Sequence, residues 1–214
     1  MQPKIELKPN QTILFIGDSI TGADRSMAPY RPFGFGFVNF IANNLLAKYP
    51  ELNLNIVNTG IAANTVRNLK ARWKEDCFAH KPNILNVLIG INDLWRRFGG
   101  KDWLPDAVYL EEYEDTYRQL LLQAKQQCSC QLILNEPFMF CDDLENQMFK
   151  ELRGYIDVVH KLAKEFDAVL VPLQSMVDEK IKQVRSDKWS DDFVHPFVWA
   201  HAWISQRWFE VTNL

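Results

Sequence analysis

The chain has 214 residues, enough for one well-buried core, and no Pro-, Gly- or Ser-rich stretch marks a linker, so a single domain over residues 1–214 is expected. Hydrophobic residues make up 47% and charged residues 24%, and 24 basic against 27 acidic side chains leave a net charge of −3 with no long basic run, which argues against a phosphate-tracking nucleic-acid surface. Nothing approaches the about 20 consecutive apolar residues of a membrane span. Residues 1–12 mix Lys4, Glu6 and Lys8 with single apolar residues, the composition of neither a secretory nor a transit segment, so a cytoplasmic protein is expected. Cys77, Cys128, Cys130 and Cys141 offer one Cys-x-Cys pair without a second ligand pair, and are read as reduced thiols.

Residues 12–17 (TILFIG) are a short apolar run, too short for a helix, and predict a buried strand that aims Gly17, Asp18 and Ser19 out of its C-terminal end. Phe37, Ile41 and Leu45 recur at i, i+4 and i+8, the buried face of a helix. Residues 52–58 (LNLNIVN) supply a second strand. Asn64 or Thr65 caps the next helix, along which Val66, Leu69, Trp73 and Cys77 form a stripe that Lys81-Pro82 ends. Residues 84–90 (ILNVLIG) form the most aliphatic strand, expected at the sheet centre, with Ile91-Asn92-Asp93 emerging from its end. Tyr113, Tyr117, Leu120, Leu121 and Ala124 mark a helix, residues 132–135 a fourth strand, residues 144–166 a long helical stretch and residues 168–172 (AVLVP) a fifth strand. Strands alternating with helices predict an α/β fold with a parallel sheet covered on both faces. Ligands of such sheets bind outside the carboxyl ends of the strands, where the polar clusters after the first three strands fall.

Ser19 follows a buried strand and opens a helical turn, which displays its hydroxyl beside free backbone N–H groups. That position suits a nucleophile, a phosphate cradle or a plain N-cap, and the G-x-S-x-G elbow of the α/β-hydrolases is absent. Of the four histidines, His80 and His160 read as surface residues and His201 as a residue of the final helix. His195 differs, because Asp192 precedes it by three residues and Pro196 follows, placing the pair on a loop whose helix Pro196 can start at its first position. An Asp at that spacing can accept the imidazole Nδ1–H and leave Nε2 as proton acceptor. Alternatively, Asp192 caps the last helix while His195 packs on Trp189 or Trp199, or Asp18, Asp192 and His195 hold a metal, a set short of nitrogen and sulfur donors. Gly60 and Asn92 are further candidates, as backbone and side-chain donors to a developing oxyanion.

Gly17-Asp18-Ser19-Ile20, Gly60 within Asn58-Thr59-Gly60-Ile61, Gly90-Ile91-Asn92-Asp93 and Asp192-Phe193-Val194-His195-Pro196 together resemble, in order and across nearly the whole chain, the four sequence blocks of the SGNH (GDSL-type) hydrolases. The resemblance implies a three-layer α/β/α, flavodoxin-like fold with a five-stranded parallel sheet in the order 2-1-3-4-5, and neither metal nor organic cofactor. It implies Ser19 as nucleophile, Asp192 and His195 completing the triad, and an oxyanion hole made by the Ser19 N–H, the Gly60 N–H and the Asn92 side chain. Asp18-Ser19-Ile20-Thr21 running on to Arg25, the segment from Asn64 through Arg67 and Arg72 to Trp73, and Ile89-Gly90-Ile91-Asn92-Asp93-Leu94-Trp95-Arg96 look like the branch that includes bacterial acetylxylan esterases. This closer likeness is best over the first two-thirds of the chain. Ala62-Ala63 depart from the Ser-Gly common there, and Asp191 stands where that branch tends to have an aromatic residue.

The expected activity is hydrolysis of small, in particular acetyl, esters, with acetylated oligosaccharides as natural substrates and Asp18, Trp95, Arg96 and Trp189 as substrate-site candidates. A lysophospholipase or thioesterase of the same family, and a non-catalytic binding module, are the competing readings. The apolar final helix, with Trp199, Trp203 and Trp208, docks either into its own core or onto a second subunit, and the aromatic surplus favours a homo-oligomer.

Overall fold

A computed structural model describes residues 3–214. Five parallel strands form one sheet: β1 (Thr12–Gly17), β2 (Asn55–Asn58), β3 (Ile84–Leu88), β4 (Gln131–Asn135) and β5 (Val169–Val171). Their spatial order is β2-β1-β3-β4-β5, the order that the resemblance implies, with every neighbouring pair parallel. The helices are α1 (Ser19–Gly22), α2 (Phe37–Lys48), α3 (Val66–Asp76), α4 (Ile91–Trp95), α5 (Leu110–Cys128), α6 (Gln147–Glu165), α7 (Leu173–Ile181) and α8 (Val198–Thr212). Helix α2 packs against α8, and α3, α5 and α6 pack in a row, so the sheet is sandwiched between two helical layers.

The central position of β3 follows from its composition, since all five of its residues are buried. Even Asn86 is enclosed there, and its side-chain oxygen accepts from Trp208 Nε1 at 2.8 Å and from Asn135 Nδ2 at 3.1 Å. Those bonds anchor α8 to the sheet, with Trp208 1% exposed and Trp203 9% exposed against its own core. Trp199, on the first turn of α8, is instead 48% exposed.

Several boundaries differ from the sequence expectations for identifiable reasons. The second strand starts at Asn55 rather than residue 52, because Pro50–Leu52 forms a 3₁₀ turn that ends at Asn53 in the left-handed region. The third stops at Leu88, where Gly90 at φ +131° turns the chain into α4; a Cβ there would lie 2.8 Å from the Tyr113 hydroxyl. Asn92 is therefore on a short helix rather than in a loop. The long helical stretch opens at Gln147, capped by Asn146. Pro196 does not start α8, which begins at Val198 after the cap residue Phe197. The chain first forms a bridge between Ser190 and Pro196, closed by Phe197 N–H to Trp189 O at 2.9 Å. Helix α7 and the two-residue hairpin strands Ser26–Met27 and Tyr30–Arg31 carried no periodic signal long enough to read.

Candidate active site

The site lies where strands β1, β2 and β3 end. Asp18 caps α1, accepting from Ile20 N–H at 3.0 Å, and so fixes the turn that lifts Ser19 out of the sheet. The Ser19 hydroxyl is 2.9 Å from His195 Nε2. On the other side of the ring, His195 Nδ1 is 2.6 Å from Asp192 Oδ2. Residues 176 positions apart in sequence thus form one line of hydrogen bonds.

The Asp192 carboxylate is held by its own loop. Its Oδ1 accepts from the backbone N–H of Val194 at 2.9 Å, that of His195 at 2.8 Å and the Ser190 hydroxyl at 3.0 Å. Partial burial works to raise its pKa, but the bonds from the His195 ring and from the His195 and Val194 backbones outweigh it and hold the carboxyl below its ordinary value. Asp192 therefore stays ionised at neutral pH, which favours Nδ1–H on the imidazole and leaves Nε2 to accept the Ser19 proton. Phe193 closes this loop at φ +67°, an uncommon conformation for a bulky residue, and its carbonyl is tied to Phe140 N–H at 2.7 Å.

The three expected oxyanion donors differ in their hydrogen-bond partners. The Ser19 N–H has no hydrogen-bond partner among the described residues. Asn92 Nδ2 donates one hydrogen to Asn64 O at 3.2 Å, and its side chain also acts on the buried Asp18 carboxyl as a hydrogen-bond donor. The Gly60 N–H is turned onto Asn58 Oδ1 at 2.9 Å, so it reaches an oxyanion only by sharing that hydrogen. Gly60 is required sterically, because a Cβ would lie 2.3 Å from Gly22 N.

Of the supporting residues, Thr65 was expected as the cap of α3, and the others were not legible as such in the sequence. Arg72, on α3, donates to Thr59 O at 2.7 Å, Gly17 O at 3.0 Å and Asp76 Oδ2 at 2.7 Å, tying the ends of β1 and β2 together. Arg25 Nε holds Gly60 O at 2.7 Å, and Asn58 Nδ2 holds Thr21 O at 2.8 Å. Asp93 Oδ1 accepts from Val66 N–H at 2.9 Å, fixing the start of α3, while Thr65 and Asn68 form a capping box at the same end. Asp18 and Asp93 are wholly buried, each with one side-chain oxygen unpartnered, and burial pushes both carboxyls up to about 7. The only forewarning was that Arg25, Arg72 and Asp93 fall inside recognisable motif segments.

A cavity of about 850 Å³ opens beside the line of hydrogen bonds, with Ser19, Gly60, Arg25, Met27, His195 and His201 among its walls. A second, of about 300 Å³, is bounded by Trp95, Phe98, Met139 and Asp192 among others. Of the expected substrate-site residues, Asp18 is sealed under α1. Trp95 is half-buried, with its ring 5.8 Å from that of His195. Arg96 donates to Ala63 O at 2.7 Å and lies 5.5 Å from the Trp103 ring centroid. Trp189 does not take the wall position expected of it: it is 4% exposed, stacked on Phe140 and packed against Trp199 and Trp203, with Nε1 on Val184 O at 3.1 Å. Aromatic neighbours distant in sequence draw it inward. His80 lies in a 3₁₀ turn and His160 pairs with buried Glu136, so neither joins the site. The described residues contain no cluster of three or more His, Cys, Asp or Glu side chains able to hold a metal.

Comparison with known proteins identifies the family. Residues 15–203 match the model of the GDSL-like lipase/acylhydrolase family. An acetylxylan esterase of Geobacillus stearothermophilus is 37% identical over 201 residues, covering 92% of this chain and 91% of that protein. The crystal structure of Axe2, an acetylxylan esterase from Geobacillus stearothermophilus, superposes with a TM-score of 0.90 at 35% identity, over 98% of this chain and 97% of that one. A GDSL-like lipase structure from Parabacteroides merdae also gives a TM-score of 0.90 at 35% identity, over 99% of both chains. The chain belongs to the GDSL-like lipase/acylhydrolase family and is a hydrolase of ester bonds.

Proposed function

We propose that this protein is a serine acetylesterase that removes O-acetyl groups from short oligosaccharides, with Ser19 as nucleophile, His195 as general base and acid, and Asp192 as the group that orients and charges against His195. The observation that carries the reading is the unbroken line from Ser19 Oγ to His195 Nε2 at 2.9 Å and from His195 Nδ1 to Asp192 Oδ2 at 2.6 Å, at the wall of an 850 Å³ cavity. Further support is the similarity to the Geobacillus acetylxylan esterase, whose catalytic mutants replace a serine, and an aspartate and histidine that are three positions apart as in Asp192 and His195.

In the cycle, His195 Nε2 takes the hydroxyl proton as Ser19 Oγ attacks the acetyl carbonyl. Negative charge develops toward the Ser19 N–H and the Asn92 amide, with the Gly60 N–H shared from Asn58 as charge accumulates. His195 returns its proton to the departing alcohol, leaving acetyl-Ser19, and then activates water for deacylation. Asp192, kept ionised by its loop, stabilises the imidazolium in both halves. The expected substrate partner is an acetylated xylo-oligosaccharide, and copies of the chain are expected to associate.

A chain-length series of p-nitrophenyl esters, with acetate release from acetylated xylo-oligosaccharides, tests the reading. Preference for acetate with saccharide turnover supports it. Rates that climb toward long acyl chains would replace it with a lysophospholipase or thioesterase assignment.

A further inference from the structure

His201 lies six residues beyond His195, on α8, and no step of the catalytic cycle uses it. It is 6% exposed, yet it forms part of the cavity wall that contains Ser19 and His195. Its Nδ1 accepts the backbone N–H of Phe37 at 3.2 Å, where α2 begins behind Gly36, a cap residue with no side chain to do this. The ring stacks parallel to Phe37, with centroids 6.3 Å apart and planes inclined by 15°. A Cβ on Gly36 would come within 3.1 Å of its Cε1, so the ring is clamped from that side as well.

These contacts fix the tautomer. An Nδ1 that accepts a backbone N–H carries no hydrogen, so in neutral His201 the proton is on Nε2. Burial foremost, with repulsion from the His195 ring whenever that ring is protonated, depresses the His201 pKa to about 4, so the ring remains neutral near pH 7. Among the described residues Nε2 has no hydrogen-bond partner, and it is not one of the sealed, unpartnered polar atoms; it belongs to a residue that lines the cavity. The result is a ring held by Phe37 and Gly36 whose remaining donor, Nε2–H, has no protein partner, on a wall shared with Ser19. An acetyl group fills only a small part of 850 Å³, which leaves the alcohol half of the ester to occupy the rest.

We propose that His201 is a substrate-binding residue whose Nε2–H donates a hydrogen bond to a hydroxyl or ring oxygen of the saccharide that forms the alcohol half of the ester. The proposal rests on the acetylesterase reading, because in a long-chain esterase the same cavity would hold the acyl chain.

Two variants separate binding from structure. In His201→Gln the amide nitrogen falls near the position of Nε2, so the donor to the cavity is kept and the acceptor for Phe37 is lost. In His201→Asn the amide oxygen falls near Nδ1, so the acceptor for Phe37 is kept and the donor to the cavity is lost. For each, kcat and KM are measured on an acetylated xylo-oligosaccharide and on p-nitrophenyl acetate, whose alcohol half has no hydroxyl groups to bind, together with Tm. The ratio of kcat/KM for the saccharide to that for p-nitrophenyl acetate is expected to fall about tenfold in His201→Asn, mainly through KM, and to stay within about twofold of wild type in His201→Gln. Tm is expected to fall further in His201→Gln than in His201→Asn. If the ratio is unchanged in His201→Asn, or both variants lower it equally, the assignment of His201 is overturned. A wild-type preference for long acyl chains overturns the acetylesterase reading and the saccharide donor with it, and the ester series reports that before any variant is made.

Discussion

Asp192 shows how a partly exposed carboxylate is kept ionised beside a base. Its side chain is 40% exposed, but three donors converge on Oδ1 and the imidazole on Oδ2, so its pKa is lowered despite partial burial. Asp192→Asn removes the charge and permits the wrong imidazole tautomer, with an expected loss in kcat of about 10⁴-fold, the figure known for that change in a serine-protease triad. Ser19→Ala is expected to lower kcat by about 10⁴- to 10⁶-fold with an unaltered circular dichroism spectrum. Steady-state turnover of p-nitrophenyl acetate measures both, and near-wild-type rates in either variant would contradict the roles of Ser19 as nucleophile and Asp192 as its base's partner. The juxtaposition of these residues was legible because its parts are local, Asp192 and His195 sharing one loop and Ser19 following the strand that the apolar run over residues 12–17 marks, while the roles expected of them came from the joint resemblance of four blocks. His201 was read only as a residue of the final helix, since its role depends on Phe37 and Gly36, 164 and 165 positions away, and no short-range pattern carries that information.

At the scale of elements, buried carboxylates do much of the positioning. Asp18 starts α1 and Asp93 starts α3, both wholly buried and both titrating near 7. Because the folded pKa exceeds that of a free carboxylate near 4, their favourable contribution is full below about pH 4 and is lost as pH rises through 7. Asp93→Asn keeps an oxygen for the Val66 N–H and removes that loss. Its Tm is expected to exceed that of the wild type by a few degrees at pH 8, with the difference vanishing toward pH 4; a constant difference across that range would refute the account. The end of α8 is held by different means, through Trp208 against Phe15 and Asn86. Trp208→Ala is expected to cost about 3–5 kcal/mol in urea unfolding. The strands and long helices were legible from apolar period alone. The start of β2 and of α8 was not, because Asn53 and the Ser190–Pro196 bridge reset the chain through turns that no periodicity encodes.

For the molecule as a whole, the order β2-β1-β3-β4-β5 brings the ends of β1, β2 and β3 together, and α8 returns the C-terminal loop to them. The last third of the chain thereby brings His195 to within 2.9 Å of Ser19, in the first tenth, the pair proposed as base and nucleophile. No helix among the described residues is long and apolar enough to cross a membrane. Met27 at 69%, Tyr30 at 75% and Phe35 at 48% exposure, near the cavity, with Val198 at 60% on the first turn of α8, leave an apolar rim consistent with self-association. Light scattering on a sizing column is expected to give a multiple of 25 kDa, and a 25 kDa species alone would contradict association. Treatment with a chelator is expected to leave esterase activity intact, since the reaction assigned to Ser19 and His195 needs no metal.

The central claim is that Ser19 is an activated nucleophile whose reactivity depends on His195. The direct measurement is reaction of the purified protein with a fluorophosphonate probe, with the modified residue located by mass spectrometry and Ser19→Ala and His195→Ala run alongside. Stoichiometric labelling at Ser19 that disappears in both variants is the predicted result. A folded wild-type protein that takes up no probe, or takes it up at another residue, would contradict the claim.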